Sequence, residues 1–305
     1  MSPGTHTNAP AAASPPWLSP VPLFFVFLWS TGFIVAKLGL PYSPPLTFLI
    51  LRCLGVLAVL LPIVFVFRAP WPRGQVVHVA VAGLLLQAGY LGGVWAAIKL
   101  GMPAGLTALI VGMQPILTAA AAPLIGERVR PRQWLGLALG LSGVALVVLA
   151  KIHLAGLTPA GIGLCVFALL CITAGTMYQR RYCPAFDLRT GTVIQFAATV
   201  VALLPLAIVL EGLDLRLSSV AWTLEFIAAW LWSIFALSIG AIFLLFTLIR
   251  RSQATEVTSL LYLTPPTTAI MAWLLFGESF SALALAGMAV AVLGVAFVVK
   301  KPEPL

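Results

Sequence analysis

Seven polar or aromatic side chains lie within long apolar runs of the sequence, where few partners are available to them. They are Trp29, Gln87, Tyr90, Gln114, Tyr178, Trp232 and Tyr262. Amide and hydroxyl groups donate and accept hydrogen bonds, and indole and phenol rings stack on flat or apolar solutes. We therefore predict that these residues line a binding site for a small molecule. Hydrogen bonding between helices is the alternative for each of them.

Residues that could perform catalysis are few and scattered. The only aspartates, Asp187 and Asp214, lie between apolar runs, and His6, His78 and His153 are far apart in the sequence. No HExxH pattern occurs, and no lysine follows a glycine, which excludes a P-loop for ATP. The four cysteines form no CxxC pair, so neither a zinc site nor a disulfide framework is expected. We predict that the protein is not an enzyme and needs no metal or cofactor.

Five further residues suggest gating or structural roles. Arg52 is the only basic residue well inside an apolar run, where burial of its charge costs about 2.5–3.5 kcal/mol. A structural role, bonded to carbonyls at a helix end, is favoured for it over substrate binding. Glu127 and Glu278 end two matching runs, and ion pairing or helix capping is favoured over gating a pathway. Pro115 and Pro266 each remove a backbone donor and predict a bend.

The composition shows what kind of elements must position these residues. The chain has 305 residues, of which 61% are hydrophobic and only 8% are charged, against about a quarter charged in a soluble domain. We predict ten membrane spans, from 21–39 to 281–299, each near the ~20 residues that a bilayer requires. Because lipid offers no partner to an unpaired backbone group, the spans should be helices. The fold class is therefore an all-α integral membrane protein.

The basic residues predict the orientation. Twelve of the 17 Lys and Arg residues lie in loops that face the cytoplasm if the N-terminus does, as the positive-inside rule requires. Both termini are then cytoplasmic, in a multi-pass plasma-membrane protein. The net charge of +9 is explained by topology, and no nucleic-acid partner is expected. Residues 1–20 contain no Lys or Arg, so they predict a disordered cytoplasmic leader rather than a secretory signal.

The two halves of the sequence repeat each other. A shift of 151 residues places Pro115 on Pro266 and Glu127 on Glu278, and earlier in the chain a shift of 143 places Arg52 on Gln195. Two five-helix repeats follow, 21–150 and 160–300. Because five is odd, the second repeat must be inverted in the membrane, an arrangement common among secondary transporters.

Small residues recur at helical spacing in the last span of each repeat. They are Gly136, Gly140 and Gly143 in the first repeat and Gly287, Ala291 and Gly294 in the second. Small residues allow close approach of membrane helices. Packing within one chain is favoured over dimerisation, and the expected state is a monomer or homodimer.

These features together resemble the drug/metabolite transporter superfamily, in its EamA-type branch. The resemblance rests on Trp29-Ser30-Thr31-Gly32-Phe33, on Arg52, and on the blocks from Pro115 to Glu127 and from Pro266 to Glu278. It implies a ten-span carrier of amino acids or other small metabolites, often an exporter, in the bacterial inner membrane. The chain departs from a symmetric pattern at Gln195, so any role of Arg52 is not duplicated.

The predicted function is secondary transport, as an exporter or exchanger working by alternating access. With one cation inside the spans, a multiply charged phosphate finds little compensation. A small neutral, zwitterionic or aromatic metabolite, such as an amino acid, is expected instead. The spans hold no carboxylate away from their ends, which disfavours proton coupling through a midplane acid. The alternative is a passive channel or facilitator for small solutes.

Overall fold

Helices are the only regular secondary structure in the residues that the structure describes. The structure is a computed structural model that describes residues 20–102, 107, 110–126, 128–149, 158–241, 243–244, 248, 259–276 and 281–299. The helices are α1 Pro20–Gly39, α2 Pro45–Val66, α3 Val76–Lys99, α4 Gln114–Ala121, α5 Pro131–Leu149, α6 Pro159–Tyr182, α7 Leu188–Glu211, α8 Leu224–Ala241, α9 Thr264–Phe276 and α10 Ala282–Val299. The predicted all-α class is confirmed. The predicted leader lies almost wholly outside the described residues.

Several of the helices can cross a bilayer. By length and composition, α2, α3, α6, α7 and α8 are long and apolar enough to do so, and α1 and α10 contain shorter apolar stretches. Large apolar side chains point outward from them, including Val201 and Val209, which are 74% and 79% exposed. Exposed apolar surface on helices of this length and composition is typical of a protein that contacts lipid. The chain is therefore a multi-pass membrane protein.

Local sequence signals fix where the helices begin. Thr158, Asp187 and Thr223 each precede a helix and accept a hydrogen bond from a backbone N–H in its first turn. These residue types are the preferred N-caps because their short side chains satisfy a donor that the helix leaves free. Proline at the first position of α2 and α6 has no N–H to leave unpaired.

The helices pack in a defined set of pairs. Helix α2 lies against α7, and α5 lies against α10. Helix α3 contacts both α6 and α7, while α8 contacts both α1 and α2. The shorter helices α4 and α9 rest on α6 and α1, respectively.

Glycines bring α5 and α10 into backbone contact. A Cβ atom on Gly136 would lie 2.7 Å from the carbonyl oxygen of Gly294, and one on Gly143 would lie 2.6 Å from the carbonyl oxygen of Gly287. Only hydrogen fits in these positions. The small-residue series therefore packs within the chain, as the sequence favoured.

Two helices contain π-helical segments, a feature that the sequence analysis did not predict. Helix α3 widens at Leu84–Gly89, and α8 widens at Ser233–Ala241. When the two halves of the sequence are aligned with the 151-residue shift of the repeat, the first segment falls within the second. π-Helical turns cost regular hydrogen bonding and occur frequently at functional sites.

Candidate functional site

A cavity lies where helices from both halves of the chain meet. Its volume is about 50 Å³. The lining residues come from α1, α3, α4, α5, α6, α9 and the segments just before α4 and α9. They are Trp29, Tyr90, Val94, Thr107, Val111, Gly112, Gln114, Pro115, Val144, Ile172, Leu261, Tyr262 and Thr264.

Four of the seven predicted binding residues line this cavity. Trp29, Tyr90 and Tyr262 supply aromatic rings, and Gln114 supplies an amide. Tyr262 is only 1% exposed, and its hydroxyl has no hydrogen-bond partner among the described residues. A wall of this composition suits a small solute that stacks on rings and forms a few hydrogen bonds.

The amide of Gln114 is only half satisfied. Its Nε2 donates to Thr176 Oγ1 at 3.3 Å, while its Oε1 finds no partner in the described part of the chain. The hydroxyl of Thr264, also in the lining, is likewise unpaired there. Buried polar groups without partners are uncommon in folded proteins. Three such groups belong to residues that line this cavity, which makes it the candidate site.

The structure places the other three predicted residues outside the lining. Gln87 lies in the π-helical segment of α3, 5% exposed, with its Oε1 unpaired among the described residues. Trp232 is 45% exposed, and its Nε1 donates to Thr31 Oγ1 at 2.9 Å. This bond joins α8 to α1, which is the helix-to-helix alternative considered for such side chains.

Tyr178 belongs to an aromatic cluster away from the cavity. Its hydroxyl lies 2.7 Å from Nδ1 of His78. Tyr182 stacks on the imidazole of His78, with ring centroids 5.2 Å apart and planes 10° from parallel. The cluster joins the beginning of α3 to the end of α6.

Arg52 is buried in α2 and reaches across to α8. Its Nε donates to Ser238 Oγ at 2.6 Å, and that hydroxyl donates to the carbonyl of Ser233 at 2.7 Å. Both serines belong to the π-helical segment of α8, so the observed partner is a hydroxyl within a helix rather than a carbonyl at a helix end. No carboxylate among the described residues forms an ion pair with Arg52.

Helix breaks precede both predicted proline bends. A turn at Gly112–Met113 separates the helical residues 110–111 from α4, where Pro115 is the second residue. A short 3₁₀ turn, Leu260–Leu263, precedes α9, in which Pro266 is the third residue. The two predicted spans, 104–125 and 255–276, are thus not continuous α-helices in the described residues. Pro115 has no backbone N–H, so it cannot donate to the carbonyl of Val111 four residues earlier in the chain. Glu127 and Glu278 lie outside the described residues.

Glu211 has a role that the sequence analysis missed. It ends α7, and its carboxylate accepts hydrogen bonds from the backbone N–H groups of Leu46 and Thr47 at 2.8 and 2.7 Å, and from the Thr47 hydroxyl at 2.8 Å. A negative charge is unfavourable at the C-terminus of its own helix but favourable at the N-terminus of α2. An acidic residue at the end of a helix, where its own helix disfavours it, was the sequence feature that could have indicated this contact.

Outside the spans, an ion pair lowers the pKa of an acidic side chain. Arg189 donates to the carboxylate of Asp187 at 2.8 Å, and this hydrogen bond lowers the pKa of Asp187. The pair stabilises the start of α7. Elsewhere in the described residues no group of three His, Cys, Asp or Glu side chains could hold a metal ion. The four cysteines are buried and unpaired.

Known proteins match this chain along most of its length. A model of the EamA-like transporter family matches residues 21–149 and 159–300. The chain is 27% identical to a probable amino-acid metabolite efflux pump of Salmonella typhimurium, over 87% of this chain and 89% of that protein. It is 27% identical to the inner membrane transporter YedA of Escherichia coli, over 90% and 89%. It is 28% identical to the transporter YvbV of Bacillus subtilis, over 92% and 90%.

A solved crystal structure shares the fold. It superposes with a TM-score of 0.72 at 21% sequence identity and covers 91% of this chain and 94% of the other. At this identity the match concerns the fold alone.

Proposed function

The chain belongs to the EamA-like transporter family, and from that membership we propose that it exports a small organic metabolite across the bacterial inner membrane. The proposed substrate is neutral, zwitterionic or aromatic, with amino acids as the leading class. One relative is named as an amino-acid metabolite efflux pump and another as an inner membrane transporter. Transport would proceed by alternating access, in which two related halves open the site to one side and then to the other.

The helix contacts support an arrangement of ten spans in two inverted repeats. Helices α1 to α5 correspond in order to α6 to α10, and each main contact has a counterpart when the halves are exchanged. The α1–α9 contact corresponds to α6–α4, and the α2–α8 contact corresponds to α7–α3. The α2–α7 and α5–α10 contacts correspond to themselves. Near-equivalent contacts of this kind allow two conformations of similar free energy.

The cavity is the observation that carries the substrate proposal. Three rings and one amide line it, with Trp29, Tyr90 and Gln114 from the first half and Tyr262 from the second. No Asp, Glu, Lys or Arg is among its described lining residues. Such a wall offers little to a multiply charged solute. A site shared between the halves is also where rocking of one half against the other would alternate access.

Counterflow in proteoliposomes tests the proposal. Vesicles are preloaded with one unlabelled amino acid and diluted into a trace of the same labelled compound, for a panel of amino acids. A carrier accumulates label transiently because exchange is faster than net efflux, whereas a channel only equilibrates. We expect accumulation for at least one member, and none in protein-free vesicles.

The role of the residues that line the cavity can be tested in the same assay. Tyr90→Ala should reduce the initial exchange rate by about tenfold, because it removes a ring from the cavity. Trp71→Ala, a partly exposed aromatic in the loop after α2, is the matched control and should exchange at the wild-type rate. Equal rates in the two variants, in equally well-inserted protein, would contradict the assignment of the cavity.

A further inference from the structure

We propose that the loop after α2 binds the phosphate of an anionic phospholipid headgroup, chiefly through Arg68. The loop, residues 67–75, carries Arg68 and Arg73 and no acidic residue. It is separate from the cavity, because none of its residues is among the described lining residues. The inference therefore goes beyond the proposed transport and does not depend on it.

Arg68 holds a backbone conformation that its residue type disfavours. Its φ angle is +46°, in the left-handed region, where a Cβ atom comes too close to the following carbonyl oxygen. The N–H of Arg68 donates to the carbonyl of Phe65, and the N–H of Ala69 donates to the carbonyl of Val64. These two bonds end α2 in a Schellman motif, in which glycine is the usual residue at the left-handed position.

The rest of the chain shows that the strain at Arg68 is unusual. Helix α7, the counterpart of α2 in the second half, is followed by glycine at the left-handed position, Gly212 with φ +65°. The other described residue with a side chain and a positive φ is Leu217, which packs against a core cluster. The Arg68 side chain is instead exposed, and no described carboxylate forms an ion pair with it. Strained positions of this kind concentrate at functional sites, so the exposed guanidinium indicates a ligand outside the protein.

The residues on either side of the loop place Arg68 at the level of the lipid headgroups. Phe65, Val66 and Phe67 come directly before it, and each exposes more than half of its surface. Val77, near the start of α3, is exposed as well. Because α2 and α3 are long and apolar enough to span a bilayer, these side chains contact acyl chains. A guanidinium just beyond them reaches the phosphates, and it can donate two parallel hydrogen bonds to one phosphate group.

Charge distinguishes this loop from the one that follows α7. The loop after α2 has a net charge of +2 from its two arginines, whereas residues 212–223 contain Arg216 and Asp214 and have no net charge. Arg73 is exposed like Arg68, and it too has no carboxylate partner in the described part of the chain. The loop after α2 therefore complements an anionic headgroup, and the loop after α7 does not.

Thermal unfolding of the purified full-length protein in a neutral detergent tests the site. Phosphatidylglycerol should raise the melting temperature by about 3–5 °C more than phosphatidylcholine with the same acyl chains, because a ligand of the folded state stabilises it. Arg68→Gly should abolish this difference. Without added lipid, the same variant should melt at least as high as the wild type, because glycine relieves the left-handed backbone. Arg216→Gly, in the exposed loop after α7, is the matched control and should keep the wild-type difference.

Four outcomes would overturn the proposal. Equal effects of the two lipids on the wild type, or an undiminished difference in Arg68→Gly, would show that Arg68 does not recognise the headgroup. The same loss in Arg216→Gly would show that net charge alone attracts the lipid. A lower melting temperature of Arg68→Gly without lipid would show that Arg68 serves the C-terminus of α2, whose dipole also favours a cation. A shift of equal size with inorganic phosphate would show that the loop binds a free anion rather than a lipid.

Discussion

At the scale of single residues, Arg52 shows how a hydroxyl group can accommodate a buried cation that has no carboxylate partner within the described part of the chain. Its Nε bonds to Ser238, and Ser238 in turn bonds to the backbone of its own π-helical segment. Hydrogen bonds to a charged group contribute about 1.5–3 kcal/mol each. The wider π turn and the arginine therefore support each other across the contact between α2 and α8.

Removal of the serine hydroxyl should expose this dependence. Ser238→Ala leaves the guanidinium Nε without its partner and should destabilise the protein by about 2 kcal/mol. Thermal unfolding in detergent measures the effect. Ser142→Ala is the control, because Ser142 bonds only to its own helix in an exposed position. Equal melting temperatures for the two variants would mean that Arg52 draws its support from other groups.

The candidate site could be predicted from the sequence only in part, for a physical reason that these residues illustrate. Gln114 and Tyr262 stand out because polar atoms are costly inside an apolar run. The same criterion selected Trp232, which instead bonds to Thr31 and faces outward. In a membrane helix both the lipid face and the packed face are apolar, so periodicity does not reveal which way a side chain points.

At the scale of elements, the contact between α5 and α10 depends on missing side chains. The backbones touch at glycines, and there is no room for a Cβ atom at Gly143 or Gly294. This packing was predictable, because small residues at helical spacing are a local signal of close approach. The π-helical segments of α3 and α8 were not predictable in the same way. In α8 this segment carries Ser238, which bonds to Arg52 of α2, a tertiary contact that no local residue pattern specifies.

Two glycine substitutions should move stability in opposite directions. Gly143→Ala forces α5 away from α10 and should cost about 1–3 kcal/mol, as overpacking does. Gly163→Ala introduces the same group on α6, where nothing lies within 4 Å of the new atom. There the reduced backbone freedom of alanine should stabilise the helix by about 0.5–1 kcal/mol. Urea or thermal unfolding in matched detergent measures both. A Gly143→Ala variant as stable as the wild type would contradict the close contact, and a loss of stability in Gly163→Ala would contradict the open space around Gly163.

At the scale of the whole molecule, the charge distribution and the sequence repeat predict how the helices are arranged. They do not predict individual side-chain contacts. The repeat could be read from paired landmarks such as Pro115 and Pro266, and the contacts between helices exchange consistently between the halves. Glu211, by contrast, ties the end of α7 to the beginning of α2. That link joins residues 165 apart in sequence, and no local pattern specifies such a partner.

The inverted repeat makes one further prediction about orientation. If each half crosses the membrane five times, the connection between α5 and α6 lies on the opposite side from both termini. Alkaline phosphatase, which is active only outside the cytoplasm, should be active when fused after residue 154 and inactive when fused after residue 300. Green fluorescent protein at the same two positions should give the reverse pattern. The bias of twelve among 17 basic residues toward one side predicts this orientation. Phosphatase activity at residue 300, or equal activity at both positions, would contradict an odd number of spans in each half with cytoplasmic termini.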